Sequence, residues 1–254
     1  MKIIRLQTPS GPQFGIVEGE TVYRAEGGYA TGFQRGEAVG ELDSLTLLSP
    51  CQPTKIVALG RNYAAHAAEH GSQVPQQPLV FLKPPSAVIG PGEAIAYPPQ
   101  SQQVEHEAEL AVVIGRRARR VTASQAWGYI LGYTCANDVT ARDLQRSDGQ
   151  WSRAKGFDTF APLGPWIVTD LDPTHLTVVC RVDGQQKQRG STADMVFKIP
   201  QLVEFITAAM TLEPGDVILT GTPEGVSPIQ PGDQVEVEIG GIGVLRNTVV
   251  AMAG

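Results

Sequence analysis

The stretch Val104-Glu105-His106-Glu107-Ala108-Glu109-Leu110-Ala111-Val112-Val113-Ile114-Gly115 changes character in its middle. The strand expected over Glu109 to Ile114 is continuously apolar from Leu110 on, rich in Val and closed by Gly, the pattern of a strand buried on both faces. Before that, Glu105, Glu107 and Glu109 alternate with His106 and Ala108. Side chains at i and i+2 of an extended chain share a face, so the three carboxylates are expected to point the same way. Like charges on one face repel unless something neutralises them. A divalent cation with oxygen preference is one remedy, and a solvated polar face is the other reading.

Working outward, strands dominate. Similar apolar runs occur at Lys55 to Gly60, Leu79 to Leu82, Ile130 to Thr134, Trp166 to Val168, Leu176 to Val182, Val217 to Thr220, Val235 to Ile239 and Gly243 to Val250. Pro-Gly at 91, 214 and 231 marks turns, and Asp183-Gly184 signals a two-residue hairpin. Three helices are expected. Pro200 to Met210 places Leu202, Phe205, Ile206 and Ala209 at helical spacing, a stripe read as core. Ala123 to Tyr129 and the Ala-rich Tyr63 to His70 are the others. The first fifty residues read as short strands, Lys2 to Leu6, Gly15 to Glu18 and Thr21 to Tyr23, followed by a loose Gly- and Glu-rich segment. They form a small N-terminal β module over 1–50, with the main domain over 51–254 and the boundary near Ser49-Pro50.

Composition narrows the function. A chain of 254 residues that is 42% hydrophobic can bury a core without disulfides. Lys and Arg number 20 against 26 Asp and Glu, a net charge of -6 that offers no positive field to a polyphosphate, so no nucleic-acid partner is expected. No run of 18 apolar residues suggests a membrane span, and Pro and Gly interrupt the N-terminus before a secretory core can form; a cytoplasmic protein is expected. Cys51, Cys135 and Cys180 show no CxxC spacing and read as small apolar residues.

Four further features carry chemistry. Asp138 follows the apolar run Ile130 to Thr134, where it can join the glutamates; its alternative is an Asx turn or a cap for a helix over Val139 to Leu144. Two Glu and one Asp without a thiolate favour Mg2+ or Mn2+ over Zn2+. His66 and Glu69 are three apart on an expected helix, so a carboxylate can orient an imidazole and raise its basicity, although such pairs also occur as surface decoration. Lys155, among Trp151, Phe157 and Phe160, can neutralise an oxyanion if it is buried, or snorkel if it is not. Gly221-Thr-Pro-Glu-Gly225 can present backbone N–H groups to a ligand, or be only a turn.

In order, Gly60-Arg-Asn-Tyr-Ala-Ala-His66, Phe81-Leu-Lys-Pro84, Glu107-Ala-Glu109-Leu, Asn137-Asp138-Val-Thr-Ala-Arg-Asp143, Ala154-Lys155-Gly-Phe-Asp158, Pro162-Leu-Gly-Pro165 and Leu219-Thr-Gly-Thr-Pro-Glu-Gly225 resemble the fumarylacetoacetate hydrolase family across residues 55 to 250. The resemblance implies an α+β fold of stacked, rolled mixed β-sheets and a homodimer. It implies Glu107, Glu109 and Asp138 as ligands of one Mg2+ or Mn2+ per subunit, His66 and Glu69 as a water-activating dyad, and Lys155 as the enolate-binding lysine. Arg61, Tyr63, Gln145 and Thr222 fall where the family lines its pocket. Related sequences often have His-His or His-Tyr ahead of the first metal glutamate, where this chain has Glu105-His106; Glu105 adds charge to the site or faces solvent. The implied reaction is hydrolysis of a C–C bond in a 3-acylpyruvate-like 2-oxo acid. Alternatives are decarboxylation of an oxaloacetate-type β-keto acid and isomerisation or tautomerisation of a 2-oxo acid. The non-enzymatic alternative is metal-dependent binding of a dicarboxylate.

Overall fold

The structure is a computed structural model and describes residues 1–252. Strand-forming residues dominate the sequence, and mixed β-sheets with a few short helices result, the α+β architecture implied by the motifs. The main sheet has twelve strands. Its path runs Gly32–Glu41, Thr21–Gly28, Gly11–Glu18, Lys2–Thr8, Ala161–Val168, Ile130–Asn137, Ala108–Ile114, Val217–Leu219, Ile56–Gly60 and Leu79–Lys83, with Leu47–Leu48 added on Lys2–Thr8 and Val88–Ile89 on Ala161–Val168. The N-terminal strands thus hydrogen-bond into the main sheet, Lys2 pairing with Val168 and Ile3 with Ile167.

A second sheet of five strands, in the order Gln185–Ser191, Thr177–Val182, Gln234–Ile239, Gly243–Ala251 and Ile95–Tyr97, supplies much of the opposing core. All seven residues of Ala108–Ile114 are buried. Leu110, Val112 and Ile114 join a cluster with Val178, Cys180, Val237 and Leu245, while Ala111 and Val113 join Ile3, Ile56, Leu163 and Leu219 on the other face. A central strand with two buried faces cannot alternate apolar with polar, which is why its sequence is a continuous apolar run.

The Asp183-Gly184 hairpin forms as expected, with Val182 paired to Gln185 and φ of 49° and 75° at the two turn residues. Three local readings differ. The loose segment after Gly28 contains the ten-residue strand Gly32–Glu41, whose exposed edge position needs no apolar alternation. Ala123–Tyr129 is a 3-10 helix and not an α-helix. In Ile199–Ala209 the buried residues are Ile199, Leu202, Val203, Ile206 and Thr207, whereas Phe205 and Ala209 face outward. The helix is rotated relative to the expected stripe so that Val203 enters the core and the Thr207 hydroxyl accepts from Val121 N at 3.0 Å.

Candidate active site

Strand register builds the acid cluster. Ala108 pairs with Asn137 across the antiparallel ladder, so one position further on Glu107 and Asp138 stand opposite each other, joined by Asp138 N donating to Glu107 O at 2.9 Å. The Asn137 side chain fixes the turn from the other side, its Oδ1 accepting from Glu107 N at 2.9 Å. One carboxylate oxygen from each of Glu107, Glu109 and Asp138 lies within 4.8 Å of the others, and all three residues are buried. Asp138 does not cap a helix: Arg142–Asp148 begins after Ala141 without a side-chain cap, and the Asp138 carboxylate accepts from two lysines instead.

Those lysines are Lys83 and Lys155. Lys155 Nζ donates to Glu107 at 2.9 Å and to Asp138 at 2.7 Å, and Lys83 Nζ to the other Asp138 oxygen. Arg142 completes the shell, bonding Glu105 at 2.7 Å through Nε, Glu107 through one terminal nitrogen and Gln145 at 2.6 Å through the other. Glu105 is therefore buried and ion-paired; it does not face solvent, and it adds its charge to the cluster around Arg142. Four buried carboxylates face three buried cations, which leaves one negative charge.

That deficit falls on Glu109, whose carboxylate accepts only from Gly221 N, at 2.6 Å. Burial, together with the Asp138 and Glu107 charges, pushes its carboxyl well above the ordinary range. Burial also works against ionised Glu107, but Lys155 and Arg142 outweigh it and hold that carboxyl below its usual range. Lys155 stays protonated, because Asp138 and Glu107 overcome the cost of burying it. An all-oxygen trio containing one uncompensated acid fits a hard divalent ion, which would hold Glu109 ionised.

A cavity of about 280 Å3 opens beside the trio, lined by Arg61, His66, Glu107, Gln145, Lys155 and Thr222 among others. His66 lies on the short helix Ala64–Glu69 and is buried; burial lowers its pKa below the usual histidine value even though Glu107 opposes the shift, which favours the neutral ring. Its Nδ1 stands 3.7 Å from Glu69 Oε2, beyond hydrogen-bond reach, and has no partner among the described residues. Both Glu69 oxygens accept instead from Gly225 N, at 3.1 and 3.2 Å. The Gly221–Gly225 loop therefore offers its two glycine N–H groups to acids of the chain itself. Both glycines have φ near +90°, and a Cβ on Gly225 would lie 2.2 Å from Lys187 O.

Tyr63 departs from the expected lining. It is buried in the core next to the cavity and its hydroxyl has no hydrogen-bond partner. Thr222 contributes wall, its hydroxyl donating to Ala108 O at 2.7 Å and accepting from Gln188 Nε2 at 2.8 Å. Sequence reading assigned no role to Lys83, Arg142, Asn137 or Gln188. Lys83 and Arg142 lie within two of the quoted motifs, but nothing local shows which acid they meet. Gln188 stands in a polar strand, yet its Oε1 accepts from Ala108 N at 2.9 Å and pairs with His106 Nδ1 at 3.0 Å, tying the acid segment to the second sheet. The three cysteines are free and buried, and burial raises all three thiols. Among the described residues no helix is long and apolar enough to cross a membrane.

Comparison with known proteins identifies the family. Residues 55–250 match the family described as fumarylacetoacetate (FAA) hydrolase C-terminal, and residues 1–50 match one described as Rv2993c-like, N-terminal. The chain is 45% identical over 219 residues to the mitochondrial oxaloacetate tautomerase FAHD2A of Bos taurus, covering 81% of this chain and 70% of that protein. It is 44% identical to the 2-hydroxyhepta-2,4-diene-1,7-dioate isomerase of Mycobacterium marinum, whose crystal structure it matches over 100% of both chains with a TM-score of 0.92. The maleylpyruvate hydrolase of Sphingobium sp. SYK-6, solved with manganese(II) and pyruvate, is 31% identical with a TM-score of 0.81 over 100% of both chains. Isomerase, hydrolase and tautomerase chemistry thus occurs among the relatives, and the carboxylate trio of this chain is of the kind that holds a divalent metal. With residues 55–250 matching its model and the fold matching over the whole chain, the protein belongs to the fumarylacetoacetate hydrolase family.

Proposed function

We propose that this chain is a divalent-metal-dependent enzyme that interconverts the keto and enol forms of a small 2-oxo dicarboxylate of the oxaloacetate type. The observation that carries the reading is that one cavity is lined both by a buried unpartnered imidazole, His66, and by Glu107, a member of a buried cluster whose four acids outnumber its three cations by one. Glu107, Glu109 and Asp138 would hold Mg2+ or Mn2+, which when bound would supply Lewis-acid polarisation of the 2-oxo group. The buried cluster of Glu105, Glu107, Glu109, Asp138, Lys83, Arg142 and Lys155 carries one net negative charge when all are ionised, so with a divalent ion bound it would complement one substrate carboxylate. Lys155 donates to the oxygen that gains charge as C3 loses its proton. His66 takes that proton and returns it to oxygen or carbon. Arg61 pairs with the distal carboxylate, and Gln145, held by Arg142, and Thr222 shape the wall.

Two observations move keto–enol interconversion ahead of the C–C hydrolysis implied by the motifs. A single imidazole suffices to relay a proton, whereas activating water calls for the His66–Glu69 hydrogen bond that is open at 3.7 Å. The tautomerase and isomerase relatives are also more similar, at 44–45% identity, than the maleylpyruvate hydrolase at 31%. Hydrolysis of a 3-acylpyruvate-like acid is the second reading, favoured by the short movement that would close the pair. Decarboxylation would need the metal and Lys155 but leave His66 idle, and a silent dicarboxylate-binding protein would have no use for a neutral buried base. The homodimer, the absence of nucleic-acid and membrane partners, and the cytoplasmic location belong to the same proposal.

The test follows the ultraviolet band of enol oxaloacetate with Mn2+, Mg2+ or EDTA, and pyruvate release from acetylpyruvate in parallel. Metal-dependent loss of the enol without pyruvate release is the expected result. Cleavage of acetylpyruvate with no effect on the enol band would overturn the first reading and establish the second.

A further inference from the structure

The cavity wall carries a second group of metal-binding atoms of different chemistry. In His66-Ala-Ala-Glu69-His70 the three polar residues are spaced i, i+3 and i+4, which brings them to one face of a helical turn. One ligand atom from each lies within 4.8 Å of the others. The two imidazole rings meet edge-on with centroids 4.7 Å apart. An independent observation marks the group as incomplete. The side chain of His66 is nine-tenths buried, with 9% exposure, and its Nδ1, on the side of Glu69, has no hydrogen-bond partner. A buried nitrogen with a free lone pair is costly unless it is filled. Both histidines line the cavity, so an ion here would keep an open position facing the substrate space.

We propose that His66, Glu69 and His70 form a second, inhibitory site for a borderline divalent ion, Zn2+ in the first instance. Two imidazoles and one carboxylate suit Zn2+, which accepts three protein ligands and one exchangeable position, whereas Mg2+ prefers the all-oxygen trio at Glu107, Glu109 and Asp138. The two sites therefore sort ions by hardness within one cavity. Glu69 has two oxygens, so one can ligate while the other keeps Gly225 N. An ion bound here occupies the His66 lone pair and stops its proton transfer. The inhibitory consequence rests on the role given to His66 above; the binding itself does not.

The experiment titrates Zn2+ into the Mn2+-loaded protein and reads bound metal after desalting, the visible spectrum with Co2+ as a substitute probe, and turnover. One further equivalent of Zn2+ per chain is expected, with Mn2+ retained and activity falling in proportion to zinc bound. His70→Gln, at the helix end, is expected to raise the zinc concentration for half-occupancy at least about tenfold. Glu107→Gln is expected to keep the zinc equivalent and its Co2+ spectrum while losing Mn2+. Zinc that enters only as Mn2+ leaves, or equal zinc binding by wild type and His70→Gln, would overturn the site. Zinc bound as expected with turnover intact would overturn the inhibitory part, and with it the use of His66 as base.

Discussion

The short strand Val217–Leu219 connects two buried acids with opposite surroundings. At its start Asp216 accepts from Thr54 N, Thr54 Oγ1, Lys55 N and Glu213 N at 2.7–3.1 Å, and from Lys55 Nζ as well. Just past its end, Glu109 receives one backbone N–H, from Gly221, and faces two other acids. Both carboxylates are buried, so burial pushes both upward in pKa. At Asp216 the donors outweigh that push and hold the carboxyl below its usual range, while at Glu109 neighbouring acids add to it. A saturated acid is a structural knot; an unsaturated one stores a demand for a cation. The difference separates scaffold from site without reference to any relative.

The sharpest way to break the comparison is to remove the demand. Glu109→Gln should lower turnover by about three powers of ten, because several kcal/mol of Lewis-acid stabilisation go with the metal. In EDTA the same variant should melt above the wild type, since the cost of burying an acid beside Asp138 and Glu107, whether as charge or as proton uptake, is gone. Mn2+ at a hundredfold excess over its Kd should stabilise the wild type by about 2.7 kcal/mol and the variant hardly at all. Calorimetry with and without metal checks both halves, and a variant that melts below the wild type in EDTA would show that Glu109 is already balanced.

Lys155→Met comes next. It removes the donor at the developing oxyanion, a loss of about 10²–10³ in turnover. It also takes away one of the two cations at each of Glu107 and Asp138, leaving Arg142 and Lys83, so metal-free protein should lose stability while the metal-loaded form regains most of it. Equal destabilisation in both forms would make Lys155 a structural cation.

Asp216→Asn is the counterpart in the knot, and should cost about 2–4 kcal/mol of stability with turnover per folded molecule unchanged. The sign with pH follows from the depressed carboxyl. The unfolded chain takes up its proton first as pH falls, so the ion-paired contribution is present above the ordinary aspartate pKa and lost as pH drops through the lower folded value. The gap between wild type and variant should narrow in that window, which denaturant titrations at neutral and acid pH would show.

How much of this was legible in the sequence follows the same division. Glu107 and Glu109 drew attention as acids alternating into an apolar strand, but a solvated face explained them as well. Asp138 read equally as a turn or cap, and only the family resemblance joined the three. The buried strands were legible because two covered faces demand continuous apolar runs. Lys83, Arg142 and Asn137 were quoted within motifs but had no assigned partners, because ion pairs spanning 35 or 55 positions leave no periodicity in the chain. Gln188 was invisible for the same reason, and Gly32–Glu41 because an exposed edge strand needs no alternation. The helix over residues 199–209 was found but its buried face was set by Val203 and Thr207, a choice made by the partner surface.

The smallest expected effect is the one that separates the two readings of the site. Glu69 stands 3.7 Å from His66 Nδ1 and is held by Gly225 N. If the imidazole relays a proton alone, Glu69→Gln should lower keto–enol turnover less than about tenfold, because the amide can still accept from Gly225 and general-base strength changes little. If the pair closes to activate water, the same change should cost about 10²-fold in acylpyruvate cleavage, since the orienting and basicity-raising hydrogen bond is lost. Measuring one variant on both substrates therefore weighs Glu69 as an anchor of its loop against Glu69 as part of the chemistry.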